Sequence, residues 1–413
     1  MYISVSEVME YVEENDVKFI KLAFSDIYGK QRNISITSPA LRKAFDEGVR
    51  INANNIEGFC GHGNTDIILR PDPATMNILP WRPQQGRVLR FYCDLYNADG
   101  TAYDLDSRRL LKETVDLLAE RKIGFSVGLR SEFYLFQTDD DGVSTSRPID
   151  NAGYLDVAPL DRGENIRREI CLTLEEMDIQ TEKSFHEKGP GQNEIDFKGS
   201  DALSTADNYM TFKNVVSVIS ARNGVSASFK PKPIKEKSGN GLHILFALRK
   251  NGENLAHTDR ETLSHFLAGI YNRMPELTAV FNSHKTSYDR FGQYEAPKFI
   301  AWSEKNLGQL ICVPASDSNG RCSLRSPDAY LNPYVALAVL IKAGLEGIDN
   351  AEKLPAPIDE DDVEKMHRSA EGYASLPASL EEAVRVAREG DFLERALGKV
   401  FAEKYLAAVE NRG

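Results

Sequence analysis

The chain has 413 residues, 41% of them hydrophobic, which is enough for two domains or for one large domain with an appendage. Its formal charge of -12 excludes a protein that binds nucleic acid through a broad basic surface. Without an apolar run long enough for a bilayer or a signal peptide, we expect a soluble, cytoplasmic protein that binds no membrane. The five cysteines are scattered without a CxxC pair, which predicts neither disulfides nor a zinc site.

The first hundred residues predict a small domain that mixes helices and strands. Helices are expected over 4–15 and 39–47, and strands over 17–24, 31–36, 66–70, 76–79 and 87–95, with an irregular stretch at 51–59. The turn residues Asn97-Ala98-Asp99-Gly100 mark the predicted boundary. We therefore predict one domain over 1–97 and a larger one over 98–413.

The elements lengthen beyond that boundary. Helices are predicted over 107–121, 163–177, 201–221, 260–273, 332–348, 379–388 and 392–410. A strand pair is predicted around 124–137, followed by a hairpin tip at 139–142 and by strands over 227–230, 243–248 and 309–313. From Glu352 the chain becomes rich in proline and acids, which predicts a surface excursion.

Two acids in the middle of the chain flank a tight turn. Glu187 and Glu194 stand on either side of Gly189-Pro190-Gly191, and residues 193–197 alternate like a strand. This pattern can bring two carboxylates to one point, and carboxylate oxygens are the ligands that Mg²⁺ prefers. For an isolated pair, acids lining a surface turn would be the better interpretation.

Eight motifs in order decide against that interpretation. They are Arg70-Pro71-Asp72-Pro73 with Leu79-Pro80-Trp81, residues 91–101, residues 131–136, His186-Glu187 to Glu194, Lys230-Pro231-Lys232-Pro233, residues 239–243, Tyr294-Glu295-Ala296-Pro297, and Arg325-Ser326-Pro327-Asp328 with Asn332-Pro333-Tyr334. Together they span almost the whole chain, which resembles glutamine synthetase of the bacterial type.

This resemblance implies an α+β fold with a small N-terminal β-grasp-like domain and a larger catalytic domain of antiparallel sheet and flanking helices. It also implies ATP-dependent joining of glutamate to ammonia or an amine, in a homo-oligomeric ring, commonly a dodecamer, whose active sites lie between neighbouring subunits. The chain stops at Gly413, before the family's long C-terminal tail. A single ring or a smaller assembly is therefore an open alternative.

One metal site of the family is kept. Glu132, Glu187 and Glu194 match its three-carboxylate site, which implies Mg²⁺ or Mn²⁺ and an amino-acid or dicarboxylate substrate. Three converging acids would be costly without a cation, so acids on a solvated rim are the less favoured alternative.

The second metal site departs from the family. Arg130 stands where the first acid of Glu-x-Glu is expected, and Ser323 where Arg-x-Glu-x-Arg has its acid. Residues i and i+2 of a strand share a face, so Arg130 should point where Glu132 points, as a fixed cation in place of a metal. His243 remains as a candidate ligand of the cofactor, although a core histidine is the better interpretation.

The nucleotide end has also lost arginines. The family's Asn-Arg-Ser reads Asn306-Leu307-Gly308 here, and Cys312-Val313-Pro314 lacks the arginine before proline. Arg321 keeps the first position of Arg-x-Glu-x-Arg and is our candidate for both catalysis and nucleotide binding. These losses put ATP in doubt as a cofactor, because arginines and Mg²⁺ carry most of phosphoryl-transfer catalysis.

The amine and amino-acid ends differ from each other. Glu295 matches the flap glutamate that takes a proton from ammonium, whereas Asn52 replaces an acid that binds ammonium from the next subunit. The resemblance assigns the amino-acid substrate to Gly239, Arg290 and Arg325, since guanidinium groups pair with carboxylates. A simple pair between Arg290 and Asp289 is the alternative.

Two main functions remain open. The first is a glutamine-synthetase-like ligase with altered or weakened activity, in which ordinary glutamine synthesis is weak or absent. The second is a non-catalytic homologue that acts as an amino-acid-binding, regulatory or structural ring. A third, less favoured, is chemistry without ATP in which Glu295 is a general base.

Overall fold

The structure is a computed structural model that describes residues 4–59, 66–82, 84–306, 308–313, 320–358 and 372–412. Its first sheet contains β1 (Val17–Ser25), β2 (Gln31–Thr37), β3 (Val49–Asn52), β4 (Asp66–Pro71), β5 (Asn77–Ile78) and β6 (Arg87–Asn97), with helices α1 (Val5–Glu14) and α2 (Leu41–Asp46) beside it. The strand order is β2-β1-β6-β4-β3, and β5 pairs with β6. Only the β1–β6 pair is parallel among these described strands.

Local signals explain where these first elements begin and turn. Ser4 and Glu7 form a reciprocal capping box that starts α1. The turn between β1 and β2 is held by the buried Asp26, whose Oδ1 accepts hydrogen bonds from the backbone N–H groups of Tyr28 (3.1 Å) and Lys30 (2.9 Å). Gly29 supplies the left-handed conformation that this turn needs, with φ of +78°.

The second sheet is larger and is centred on one long strand. It contains β7 (Ile123–Thr138), β8 (Ser144–Pro148), β9 (Thr181–His186), β10 (Gln192–Phe197), β11 (Ser200–Asp201), β12 (Val225–Ser228), β13 (Leu242–Lys250), β14 (Glu253–Asn254), β15 (Trp302–Ser303), β16 (Ile311–Cys312) and β17 (Cys322–Leu324). Its order is β15-β16-β17-β13-β7-β10-β9, with β7 also pairing with β8, β11 and β12. The strand pair predicted over 124–137 is wrong, because β7 is one continuous strand, in which burial alternates from Phe125 to Phe133 and Tyr134 to Phe136 are all buried.

The remaining helices are α3 (Ser107–Glu120), α4 (Glu164–Glu175), α5 (Ala202–Arg222), α6 (Leu255–Thr258), α7 (Arg260–Phe281), α8 (Pro333–Asp349), α9 (Leu380–Glu389), α10 (Phe392–Leu397) and α11 (Lys399–Glu410). Helix α7 passes the predicted end at 273 and continues through Pro275. The single helix predicted over 392–410 is divided at Gly398, where φ is +81°. Among the described helices, none is both long and apolar enough to cross a membrane.

The fold class and two smaller features predicted from the sequence can be compared with the structure. The α+β class predicted from the sequence is confirmed, because both sheets carry helices. The surface excursion predicted from Glu352 falls partly on 359–371, outside the described residues. Among the described residues, Cys93, Cys171 and Cys312 are free thiols.

A buried arginine connects the first sheet to helices α3 and α5. Arg108 on α3, 3% exposed, forms ion pairs with Asp72 (3.0 Å), Asp94 (2.8 Å) and Asp207 (2.9 Å). Asp94 lies on β6, Asp72 follows β4, and Asp207 lies on α5. Removing the cation would leave three carboxylates close together with little solvent to stabilise their charge.

We expect Arg108→Met to lower the free energy of unfolding by about 3 to 5 kcal/mol, because it breaks a buried ionic network from one side. The neighbouring Arg109 pairs with Glu113 on the surface of α3 and provides a matched control. Arg109→Met should cost less than about 1 kcal/mol. Urea unfolding at one fixed protein concentration measures both, and equal losses would show that the network is not specially stabilising.

Candidate active site

A cavity of 460 Å³ opens beside β7, β10 and β13. It collects most of the residues that sequence analysis singled out, namely Arg130, Glu132, Glu187, Glu194, Gly239, His243, Arg290, Glu295 and Arg325. Residues from five separate segments of the chain thus meet at one place. The predicted shared orientation of Arg130 and Glu132 agrees with this arrangement, since both line the same cavity.

The three acids are brought together by strand register and by the turn between β9 and β10. Glu132 on β7 lies directly opposite Glu194 on β10. Glu187 follows β9, and oxygens of all three carboxylates lie within 4.8 Å of one another. Glu132 Oε2 accepts hydrogen bonds from Gln192 Nε2 (3.0 Å) and from the N–H of Gly241 (2.9 Å), which fix its position.

The charges of these acids oppose one another. Burial, followed by the charge of Glu132, raises the pKa of Glu187 to about 7 and the pKa of Glu194 further. Burial also raises the pKa of Glu132. Three close oxygens that are costly to ionise together form a donor set suited to a hard divalent cation, which would lower these pKa values again.

A second group of titratable side chains, Asp150, Asp161 and His186, supports the turn from behind. His186 contacts Asp150 through Nε2 (3.1 Å), and Asp150 also accepts from the N–H of Gly191 (2.7 Å). Asp161 is paired with Arg167 (2.6 Å). Since each has a protein partner, we interpret this group as support for the Glu187 turn. The sequence does not reveal this group, because its members are up to 36 residues apart.

The position expected for a second metal contains a protein cation. Arg130 on β7 lies opposite His243 on β13 and forms an ion pair with Asp196 (3.2 Å). Burial and the charges of Arg325 and Arg130 hold the pKa of His243 well below its usual range, so its imidazole is neutral. The interpretation that the sequence favoured, a hydrogen-bonded core histidine, does not fit, because His243 is half-buried, lines the cavity and has no hydrogen bond to a described residue.

Arg290 enters the cavity from the opposite side. It is 3% exposed, and its guanidinium donates to the carbonyls of Ser326 (3.2 Å) and Pro327 (3.4 Å). Its ion-pair partner is the buried Asp328 (3.7 Å), so the alternative pair with Asp289 is not formed. Gly239 leaves space for it, because a Cβ there would lie 2.6 Å from Arg290 Cγ.

Glu295 closes one side of the cavity and is held by two cations. It pairs with Lys188 and with Arg325, the latter at 3.5 Å, and the Lys188 contact lowers the pKa of Glu295. Lys188 immediately follows the acid Glu187 and connects the turn to the segment of Glu295. Lys188 could not be identified from the sequence, because a lone lysine in a turn carries no signal.

Some predicted residues lie outside this cavity. Asn52 ends β3 in the first sheet, where its Oδ1 accepts from the N–H of Asn54 (2.9 Å). Arg321 lines a second cavity of 260 Å³, which shares Arg130 and Asp196 with the first. Ser323 lies on β17 opposite Leu245. Of the phosphate-binding motifs, Leu307 and Pro314 lie outside the described residues.

Comparisons with known proteins match almost the whole chain. Residues 16–98 match the family model of the glutamine synthetase β-grasp domain, and residues 104–411 match the glutamine synthetase catalytic domain. A glutamine synthetase of Clostridium saccharobutylicum is 43% identical over 97% of this chain and 93% of its own, and one of Methanosarcina mazei is 40% identical over 98% and 93%.

Solved structures agree with these matches. A GmaS/ADP complex has a TM-score of 0.88 and 27% identity, over 98% of this chain and 95% of that chain. A Plasmodium falciparum glutamine synthetase, at 20% identity and a TM-score of 0.86, covers 99% of this chain and 95% of its own, and shows the shared fold. The β-grasp domain and larger catalytic domain expected from the sequence are thereby confirmed.

Without a cation, the free energy of unfolding should fall as pH rises above about 4.5, because the folded state keeps protons on these acids that the unfolded chain releases. Glu194→Gln removes one of the groups and should raise the stability of the metal-free protein at pH 8 by about 1 to 3 kcal/mol. The same variant should lose the increase in melting temperature that Mg²⁺ gives the unmodified chain.

Thermal unfolding at pH 5 and pH 8, with EDTA or Mg²⁺, measures both effects. Glu120→Gln, at an exposed end of α3, is the control for loss of one acid. If Mg²⁺ stabilised Glu194→Gln as strongly as the unmodified protein, the three acids would not be its site.

Proposed function

The chain belongs to the glutamine synthetase family, and on that premise we propose that it is a carboxylate–amine ligase of this type with altered or weakened activity at the nucleotide end. The observation that carries the proposal is the Arg130–Asp196 ion pair at the second metal position. At that position the guanidinium of Arg130, which is part of the protein, takes the place of an exchangeable divalent ion.

The amino-acid end supports a retained substrate pocket. We assign one Mg²⁺ or Mn²⁺ to Glu132, Glu187 and Glu194, whose oxygens are close enough to share one ion. Arg290 lies beside Gly239 and is held by hydrogen bonds to backbone carbonyls. We assign it as the partner of the α-carboxylate of an amino acid or of a dicarboxylate. Arg325 contributes a second positive charge at the same wall.

The nucleotide end supports weaker phosphoryl transfer. A divalent ion that approached His243 would meet Arg130 and Arg325, both of which already depress the pKa of that histidine. In this family ATP supplies the phosphoryl group that activates the carboxylate. We assign nucleotide binding to the second cavity, through Arg321 and the shared Arg130. The similar GmaS structure is a complex with ADP, which supports a nucleotide here.

The amine end is altered as well. Lys188 and Arg325 already neutralise Glu295, so a free ammonium ion would have to compete with two tethered cations for that carboxylate. Asn52 lies outside the cavity of one chain, which is consistent with a contribution from a neighbouring copy in a homo-oligomeric ring. Glu295 remains our candidate for the group that accepts a proton from the amine.

A non-catalytic amino-acid-binding ring is the second candidate. Two ion pairs favour it, Arg130–Asp196 and Lys188–Glu295. In each pair a side-chain cation of the protein neutralises a carboxylate that a metal ion or an ammonium ion would otherwise neutralise. This candidate requires glutamate binding without ATP hydrolysis.

Calorimetry of ATP binding, with and without Mg²⁺ and glutamate, separates the two candidates. A ligase should bind ATP in a Mg²⁺-dependent manner and release phosphate slowly when glutamate and an amine are added. Glutamate binding without any ATP binding would support the non-catalytic ring. Absence of glutamate binding as well would contradict both.

Restoring the acids tests the second metal site directly. We expect Arg130→Glu with Ser323→Glu to raise Mg²⁺ affinity by about tenfold or more, because two carboxylates would replace a cation beside His243. The matched variant Arg130→Gln with Ser323→Gln has similar shape without the negative charges. Direct titration with Mn²⁺, followed by electron paramagnetic resonance, counts the bound ions, and one ion in both variants would refute our placement of the second site.

A further inference from the structure

A separate cleft lies where the first sheet meets α5. It is lined by Lys21, Gln31, Asn33, Leu79, Trp81, Arg82, Arg90, Met177, Thr211, Asn214 and Val218, and shares none of these residues with the candidate active site. We call it the Arg90 cleft. Its walls come from β1, β2 and β6 on one side and α5 on the other.

The Arg90 cleft has an unbalanced positive charge. Three of its lining residues, Lys21, Arg82 and Arg90, are cations, and no lining residue is an acid. None of the three forms an ion pair with a carboxylate in the parts of the chain that the structure describes. Lys21 and Arg82 are near enough that burial and the charge of Arg82 lower the pKa of Lys21.

Arg90 is the buried member of this group. Arg90 is 5% exposed, and its guanidinium carbon lies over the ring of Tyr92, 3.9 Å from the ring centroid. Among the described residues it has one hydrogen bond, from Nη1 to Oγ1 of Thr211 (2.9 Å), and its Nε is buried without a partner. Four of its five N–H donors therefore lack an acceptor within the described parts of the chain.

A buried guanidinium without a carboxylate is expensive for a protein to maintain. The buried Arg108 shows the contrast, since it has three aspartate partners. A ligand that supplied the missing negative charge would remove much of this cost at Arg90. Oxyanions suit the site, because a guanidinium donates two parallel hydrogen bonds to a carboxylate or phosphate.

We propose that the Arg90 cleft binds a small oxyanion with two negative charges, held by Arg90 at the base and by Lys21 and Arg82 nearer the entrance. The cleft volume of 100 Å³, against 460 Å³ for the candidate active site, suits a small anion such as phosphate or a short dicarboxylate. The amides of Gln31, Asn33 and Asn214 provide additional donors.

Such a ligand would contact both the first sheet and α5. It would therefore stabilise their packing against each other, because a ligand that binds only the folded protein raises its unfolding free energy. The site is independent of the proposed ligase activity, since it depends on none of the residues assigned to metal, amino acid or nucleotide.

Isothermal titration of the full chain with inorganic phosphate and, separately, with succinate tests the proposal at low salt. We expect one of the two to bind with a dissociation constant below 1 mM, and sodium chloride at the same ionic strength not to reproduce the heat. Tighter binding of phosphate would indicate a phosphate-bearing ligand, and tighter binding of succinate a dicarboxylate. Absence of binding by both would overturn the proposal.

Variants locate the binding. Lys21→Gln with Arg82→Gln should weaken it by about a hundredfold, roughly tenfold for each charge-assisted contact. Arg90→Gln should weaken it at least as much, and the double variant keeps the test valid if the Arg90 variant fails to fold. The control Lys30→Gln with Arg42→Gln removes the same charge at exposed positions outside the cleft. An equal loss in the control, or unchanged binding in the double variant, would refute the site.

Discussion

The mutual repulsion of Glu132, Glu187 and Glu194 is the constraint on which the candidate active site depends. Their oxygens lie within 4.8 Å of one another, at a place where burial already penalises charge. The surrounding structure provides the rigidity needed to hold them there: strand register fixes Glu132 and Glu194, and the His186–Asp150 contact supports the turn of Glu187. A site that maintains this unfavourable arrangement is organised for a cation.

The sequence predicted the acids well and their surroundings less well. Glu187, Glu194 and the turn between them could be identified because a Gly-Pro-Gly turn followed by an alternating strand is a local pattern. Lys188, Asp150 and Gln192 could not, because their importance depends on contacts with residues distant in the chain. The divergent positions Arg130 and Ser323 were found only by resemblance, which also supplied the expected residue types.

The fold shows the same division between local and distant information. Most helices and strands followed from periodicity and capping residues, such as Ser4 and Glu7 at α1. The errors arose where tertiary packing prevailed over local signals. Strand β7 stays continuous because five other strands pair along it, and α7 continues through Pro275 because it packs closely against α8. At that contact, a Cβ on Gly269 would lie 2.1 Å from the carbonyl oxygen of Ala343.

Tethered and exchangeable cations have different consequences for chemistry. A bound divalent ion can bridge oxygens of two ligands and move with them, whereas Arg130 is anchored to β7 and already paired with Asp196. It can neutralise a phosphate by donating hydrogen bonds, but it cannot accept electron pairs from two ligands as a metal ion does. The same holds for Lys188, which neutralises Glu295 without being released as a substrate would be. The described structure places no comparable protein cation in the position of the ion that we assign to Glu132, Glu187 and Glu194. On the proposed function, selection of an amino acid therefore persists while phosphoryl transfer to it is slow.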